Sequence, residues 1–195
     1  MRIVLFLLFC LPMIAFAQIK VAVKAGLNFS NVSNPAGINA DSRTGYMLGG
    51  YIAPKPKGLF GFRSEIILSR QGYGYKSNSN TGHVNLDYIL LPQLFTINFT
   101  KKANIHAGPQ IGFLLNAGVD SAGNSGGSLL QYFKKFNYGI AAGAEVSPIF
   151  GLFFGARVNV GLNNTNNWIY GGTLNFLPRA DIRNNVVQVY AGWKL

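Results

Sequence analysis

The twelve residues Leu152 to Asn163, LFFGARVNVGLN, decide the fold. Leu152, Phe154, Ala156, Val158, Val160 and Leu162 are apolar. The residues between them, Phe153, Gly155, Arg157, Asn159, Gly161 and Asn163, are mostly small or polar, and one of them is charged. Successive side chains of a strand point to opposite faces, so this segment has one oily and one wet face. Its length matches the roughly 9–11 residues that a tilted strand needs to cross a bilayer, against about 5–6 in an ordinary strand. In a soluble sheet the oily face covers a core; in a membrane barrel it meets lipid and the wet face fills the lumen.

Working outward, the same alternation recurs. Ile19, Val21, Val23, Ala25, Leu27 and Phe29 share a face, opposite Lys20, Lys24, Gly26, Asn28 and Ser30. Strands are expected at 44–53, 59–71, 84–99, 103–116, 133–147 and 186–195. The faces of 84–99 blur around Ile89-Leu90-Leu91-Pro92, where Pro92 calls for a bulge or a distorted ladder. Short turns (54–58, 100–102 and 148–150) alternate with long polar loops (31–43, 72–83, 117–132 and 164–185). This rhythm predicts an all-β, eight-stranded, antiparallel up-and-down transmembrane β-barrel, with first and last strands paired so that no edge is left open.

Composition agrees. The 195 residues include 24 Gly, 15 Phe and 9 Tyr, with 49% hydrophobic and only 12% charged residues, which suits a sheet of many strands and turns. The formal charge is +11, but the basic residues are scattered and pair only at Lys101-Lys102 and Lys134-Lys135. A nucleic-acid footprint would be clustered on one face, so nucleic acid is not an expected partner. Anionic lipid headgroups or solutes are better matched to the excess. Residues 1–17 carry Arg2, an apolar run from Ile3 to Phe16 and Ala15-Phe16-Ala17, the pattern of a signal peptide cleaved after Ala17. That run is too short to span as a helix. Its removal leaves 18–195 as one barrel domain, takes away Cys10, the only cysteine, and leaves 16 basic and 6 acidic residues. No later segment is apolar and long enough to span as a helix, so a membrane-spanning form of this chain must be a barrel.

The wet faces collect nearly all the strand charges. Lys24, Arg63, Glu65, Glu145 and Arg157 are the expected lumen charge network, with His106, Gln110 and Asn159 as lumen polar residues and Lys194 on the same side. Buried charges need partners, which favours a structural plug over a selective charge ring. On the oily faces Arg70 is the exception. No catalytic, cofactor or metal site is expected. His83, with Asp87, Ser77 and Ser79 nearby in sequence, matches no catalytic motif, and there is neither a His pair at ligand spacing nor a mature Cys. Phe29, Tyr46, Phe60, Phe99, Phe150 and Trp193 sit near strand ends, as interfacial girdle residues do.

Several segments in order resemble the PorT-like outer-membrane β-barrel proteins of Bacteroidota. These are Lys24-Ala25-Gly26-Leu27-Asn28-Phe29-Ser30, Ser64 to Gly72 (SEIILSRQG), Tyr88-Ile89-Leu90-Leu91-Pro92, Gly108-Pro109 with Gly112 and Leu114-Leu115, and Asn137-Tyr138-Gly139 with Ala142-Gly143. Leu90 stands where that family usually has Glu. The resemblance covers essentially the whole mature chain and implies an outer-membrane barrel, without transferring the secretion and gliding role of the family's namesake. The expected function is structural or partner-binding, with outer-membrane lipid around the barrel and protein partners at its outer loops or periplasmic turns. A narrow ion or small-solute channel is the alternative, and a lipid-modifying barrel enzyme a minor one.

Overall fold

The computed structural model describes residues 19–33, 39–55, 58–77, 80–121, 124–125, 130–165 and 183–195. The segment read as a signal peptide lies outside them, as does most of the last loop with Trp168 and Tyr170. Nine strands follow in order: β1 (Ile19–Ser33), β2 (Asn39–Pro54), β3 (Phe60–Ser77), β4 (Asn80–Asn98), β5 (Ala103–Ser121), β6 (Asn124–Ser125), β7 (Phe136–Val146), β8 (Leu152–Gly161) and β9 (Arg183–Lys194). Each barrel strand pairs antiparallel with its neighbours, and β1 pairs with β9 from Ala22↔Lys194 to Ser33↔Arg183. The result is a closed eight-strand up-and-down barrel, with β6 a two-residue addition to β5.

The opening stretch shows how the faces fall. Phe154, Val158 and Val160 stand 43–46% exposed on the outside, while Phe153, Arg157 and Asn159 are buried within. The same holds around the barrel, where Leu27, Leu48, Ile66, Phe113, Ile140 and Val189 all project outward. An apolar exterior of this extent is costly in water and is the surface a bilayer requires.

The structure refines the sequence reading at three points. First, 31–43, 72–83 and 117–132 are not simple loops. β1 and β2 run to Ser33 and from Asn39, β3 and β4 to Ser77 and from Asn80, and β5 to Ser121; Leu130–Tyr132 is a turn of 3₁₀ helix. These extensions are rich in Gly, Asn and Ser, so no clean alternation marks them in the sequence, yet their backbone ladders continue. β7 accordingly starts at Phe136, and Phe133 is buried in the interior. Second, of the bulge or distorted ladder expected at Pro92, only the distorted ladder is seen: pairing of β3 with β4 breaks off between Ser64↔Gln93 and Ile67↔Leu90 and resumes in unchanged register. The β4–β5 shift lies between Asp87 and Tyr88, where Asp87 faces Asn116 and Tyr88 faces Leu114. Third, the faces of β4 are regular: Val84, Leu86, Tyr88, Leu90, Leu94 and Thr96 all point inward. The pattern blurs because this stretch of lumen wall is itself apolar.

Candidate functional site

Alternation on β1, β3, β7 and β8 aims Lys24, Arg63, Glu65, Glu145 and Arg157 into one barrel interior, and the structure brings all five together. Glu65 is the hub. Its Oε2 accepts from Lys24 Nζ at 2.7 Å and from Arg157 Nη1 at 2.6 Å, while Arg63 Nε lies 2.8 Å from its Oε1. Arg63 Nη1 donates to Glu145 Oε2 at 2.8 Å, and Lys194 Nζ stands 3.3 Å from Glu145 Oε1. The side chains of Lys24, Glu65 and Arg157 have no solvent exposure. The middle of the lumen is therefore filled by paired ions, with three buried cations, Lys24, Arg63 and Arg157, sharing two carboxylates, Glu65 and Glu145. Ions this deep persist only with such partners.

Neutral hydrogen bonds extend the cluster toward the tall hairpins. Arg157 Nε and Nη2 donate to Gln188 Oε1 at 3.0 and 2.7 Å. Gln188 Nε2 donates to Asn28 Oδ1 at 2.8 Å, and Asn28 and Gln71 both donate to Ser69 Oγ. Asn184 Nδ2 donates to Gln71 Oε1. At the other end Lys194 Nζ donates to Ser147 Oγ at 2.6 Å. A polar thread thus runs the length of the lumen.

Aromatic rings floor the charges, and these residues were not singled out from the sequence. Tyr190 lies under Lys24 at 4.4 Å, Tyr51 under Arg63 at 4.8 Å, and Phe153 under Lys194 at 5.2 Å. Phe153 packs on both tyrosines, with centroids 5.9 and 6.3 Å apart. Cations over ring faces gain about 0.5–2 kcal/mol each. Glycines make room for the rings: a Cβ on Gly155 would stand 2.4 Å from Tyr190 Cζ, and one on Gly192 2.3 Å from Phe153 Cζ. The clue in the sequence is parity, since Phe153 shares a face with Arg157 and Tyr190 with Gln188.

The remaining expected residues lie outside the ion pairs. His106 is buried, 3.5 Å from the Tyr190 hydroxyl and 3.4 Å from Asn104 Oδ1, with no carboxylate at hydrogen-bond distance among the described residues. Gln110 and Asn159 line a separate chamber of about 40 Å³ with Tyr88, Asn137 and Asn184. Leu90 is also buried there, its methyl 2.9 Å from where a Gly112 Cβ would lie, so apolar packing stands where the resembling family has a carboxylate. On the outside, Arg70 is paired: its Nε and Nη2 donate to Asp87 at 2.7 and 3.0 Å, and it stacks on Tyr46. Asp87 is thereby engaged away from His83, which is exposed on β4 opposite Asp120. Among the described residues no group of three His, Cys, Asp or Glu is placed to hold a metal.

Comparisons with known proteins fit this geometry. No curated protein sequence matches the chain. Among solved structures, Neisserial surface protein A (NspA) superposes with a TM-score of 0.58 at 13% identity, covering 90% of this chain and 97% of that one. Ail of Yersinia pestis gives 0.54 at 15% identity, covering 90% and 98%. OprG of Pseudomonas aeruginosa gives 0.51 at 13%, covering 92% and 96%. At such identities these likenesses speak to fold alone. The model of the outer membrane protein beta-barrel domain matches residues 16–167. With most of the chain inside that match, and with an apolar exterior around a closed eight-strand barrel, the chain belongs to the outer-membrane protein β-barrel domain family.

Proposed function

We propose that this protein is a plugged outer-membrane barrel, non-enzymatic, that acts as a structural or partner-binding component through the segments at its two ends. The observation that carries the reading is the buried Lys24–Glu65–Arg157 and Arg63–Glu145 cluster, which occupies the lumen where a channel needs open water. The short turns and both ends of the barrel sheet are assigned to the periplasm and the tall hairpins to the outside, the usual arrangement in such barrels. Partners then meet either the projecting β1–β2 and β3–β4 hairpins or the turns at the opposite end. Export through a signal peptide cleaved after Ala17 belongs to this reading. So does placement among the PorT-like proteins of Bacteroidota, which rests on the ordered segments from Lys24 to Gly143. Arg70 holding Asp87 speaks against a catalytic grouping around His83.

Planar-bilayer recording on the purified barrel tests the central point. The expected trace has no steady open current; a steady conductance would replace this reading with the narrow channel.

A further inference from the structure

Basic side chains occur at both ends of the barrel, with Arg43, Lys134, Lys135 and Arg183 at the hairpin end, but the acidic ones are unevenly distributed along its axis. The short-turn end presents Lys20 at the start of β1, Lys55 after β2, Lys101 and Lys102 between β4 and β5, and Lys194 at the end of β9. One acidic side chain among the described residues shares that end: Glu145 is buried and already held between Arg63 and Lys194. Asp41, Asp87 and Asp120 lie toward the tall hairpins, and Glu65 is spent inside the plug.

These cations surround a cavity. An outer space of about 590 Å³ is lined by Lys20, Lys55, Lys101, Lys102 and Lys194. It shares Lys20, Asn98, Asn104 and Lys194 with an inner space of about 70 Å³ that reaches Arg63, Tyr51 and the Glu145 already paired with Arg63 and Lys194. Arg63 is only 3% exposed, and its Nη2 has no hydrogen-bond partner among the described residues. A buried guanidinium nitrogen left without an acceptor is costly, and an oxyanion is the group that would satisfy it. Just above the cavity rim, Phe60, Phe99 and Phe150 stand 61–96% exposed on the outside. Aromatic residues of this kind mark the boundary between hydrocarbon and headgroups, which puts the lysines at headgroup depth.

We propose that the short-turn mouth is a phosphate-binding site, formed by Lys20, Lys55, Lys101, Lys102 and Lys194 around the inner Arg63. Its ligand is an anionic phosphate group, carried by a phospholipid headgroup or by a soluble phosphate compound. The inference needs the barrel but not a closed lumen, so a conductance result and a binding result fail separately.

The test uses the full-length barrel in nonionic detergent and in vesicles. In detergent, inorganic phosphate is titrated against chloride at matched ionic strength, following the melting temperature. In vesicles, retention of phosphatidylglycerol is compared with that of phosphatidylcholine. The variant carries Lys20→Gln, Lys55→Gln, Lys101→Gln and Lys102→Gln, all exposed positions, and Lys134→Gln with Lys135→Gln at the opposite end is the control. Wild type is expected to show saturable phosphate stabilisation or phosphatidylglycerol preference, and the quadruple variant to lose about tenfold or more in apparent affinity. Saturation by inorganic phosphate without lipid preference supports the site with a soluble ligand; lipid preference alone supports it with a headgroup. Equal loss in the control variant, or a wild-type response that follows ionic strength only, overturns the proposal. Should the quadruple variant fail to fold, the wild-type titration decides alone.

Discussion

Replacing Glu65 with glutamine keeps the shape of the side chain and removes the charge at the hub of the plug. Three cations lose their shared acceptor. Arg63 retains Glu145, Arg157 retains the neutral Gln188 oxygen and the more distant Tyr190 ring, and Lys24 is left over that same ring. Three buried cations then face one buried carboxylate. Breaking a buried pair by removing one partner costs about 3–5 kcal/mol, and with the Lys24, Glu65 and Arg157 side chains at 0% exposure no solvent screening reduces it. For a chain of this size that corresponds to a fall in melting temperature of roughly 6–20 °C. Equilibrium urea unfolding in detergent micelles, followed by tryptophan fluorescence, measures the free energy; loss of the compact, heat-modifiable band on a gel measures the temperature. Adding Lys24→Met to Glu65→Gln should recover about 1 kcal/mol or more, since it removes the most isolated of the stranded charges. A Glu65→Gln barrel within about 1 kcal/mol of wild type would refute the premise that these ions depend on one another.

Other substitutions separate the faces of the barrel. Arg70→Ala, at a pair 38% and 22% exposed, should cost only about 0.2–1 kcal/mol in the same unfolding experiment, in contrast to the lumen ions. Val158→Arg places a charge on the lipid-facing side and should cost roughly 2–4 kcal/mol near mid-bilayer; a neutral result would invert the assignment of faces. Gly155→Val should destabilise by about 1–3 kcal/mol or more through collision with the Tyr190 ring, and pairing it with Tyr190→Ala should relieve part of the loss.

The barrel was legible because alternation survives wherever a strand separates lipid from lumen. On β8 a single parity rule places Val158 outside and Arg157 inside. The same rule assigns Lys24, Arg63, Glu65 and Glu145 to one interior. Parity says nothing of which charge meets which across the lumen: Arg157 and Glu65 are 92 residues apart, and closure of the sheet alone brings them within 2.6 Å. Where the lumen wall is apolar, as at Leu86, Leu90 and Leu94, both faces look alike and the rule loses its contrast. Where the hairpin of β3 and β4 extends beyond the alternating pattern, as in Gly72-Tyr73-Gly74-Tyr75-Lys76, glycines interrupt the sequence and strand reads as loop. Aromatic side chains are ambiguous for a related reason, serving the bilayer boundary at Phe60 and the interior at Phe153.

The plug also dictates a sequence of events during assembly. Lys24 and Glu65 are neighbours within the first three strands and can neutralise each other early. Arg63 shares Glu65 with Lys24 until Glu145 on β7 supplies a second carboxylate, and the Arg157 acceptors sit on β3 and β9. A partly built sheet therefore carries stranded ions that hydrocarbon will not tolerate. Insertion and closure are thereby tied into one cooperative step, in which the C-terminal strands bring the counter-charges that let the N-terminal half settle in the membrane.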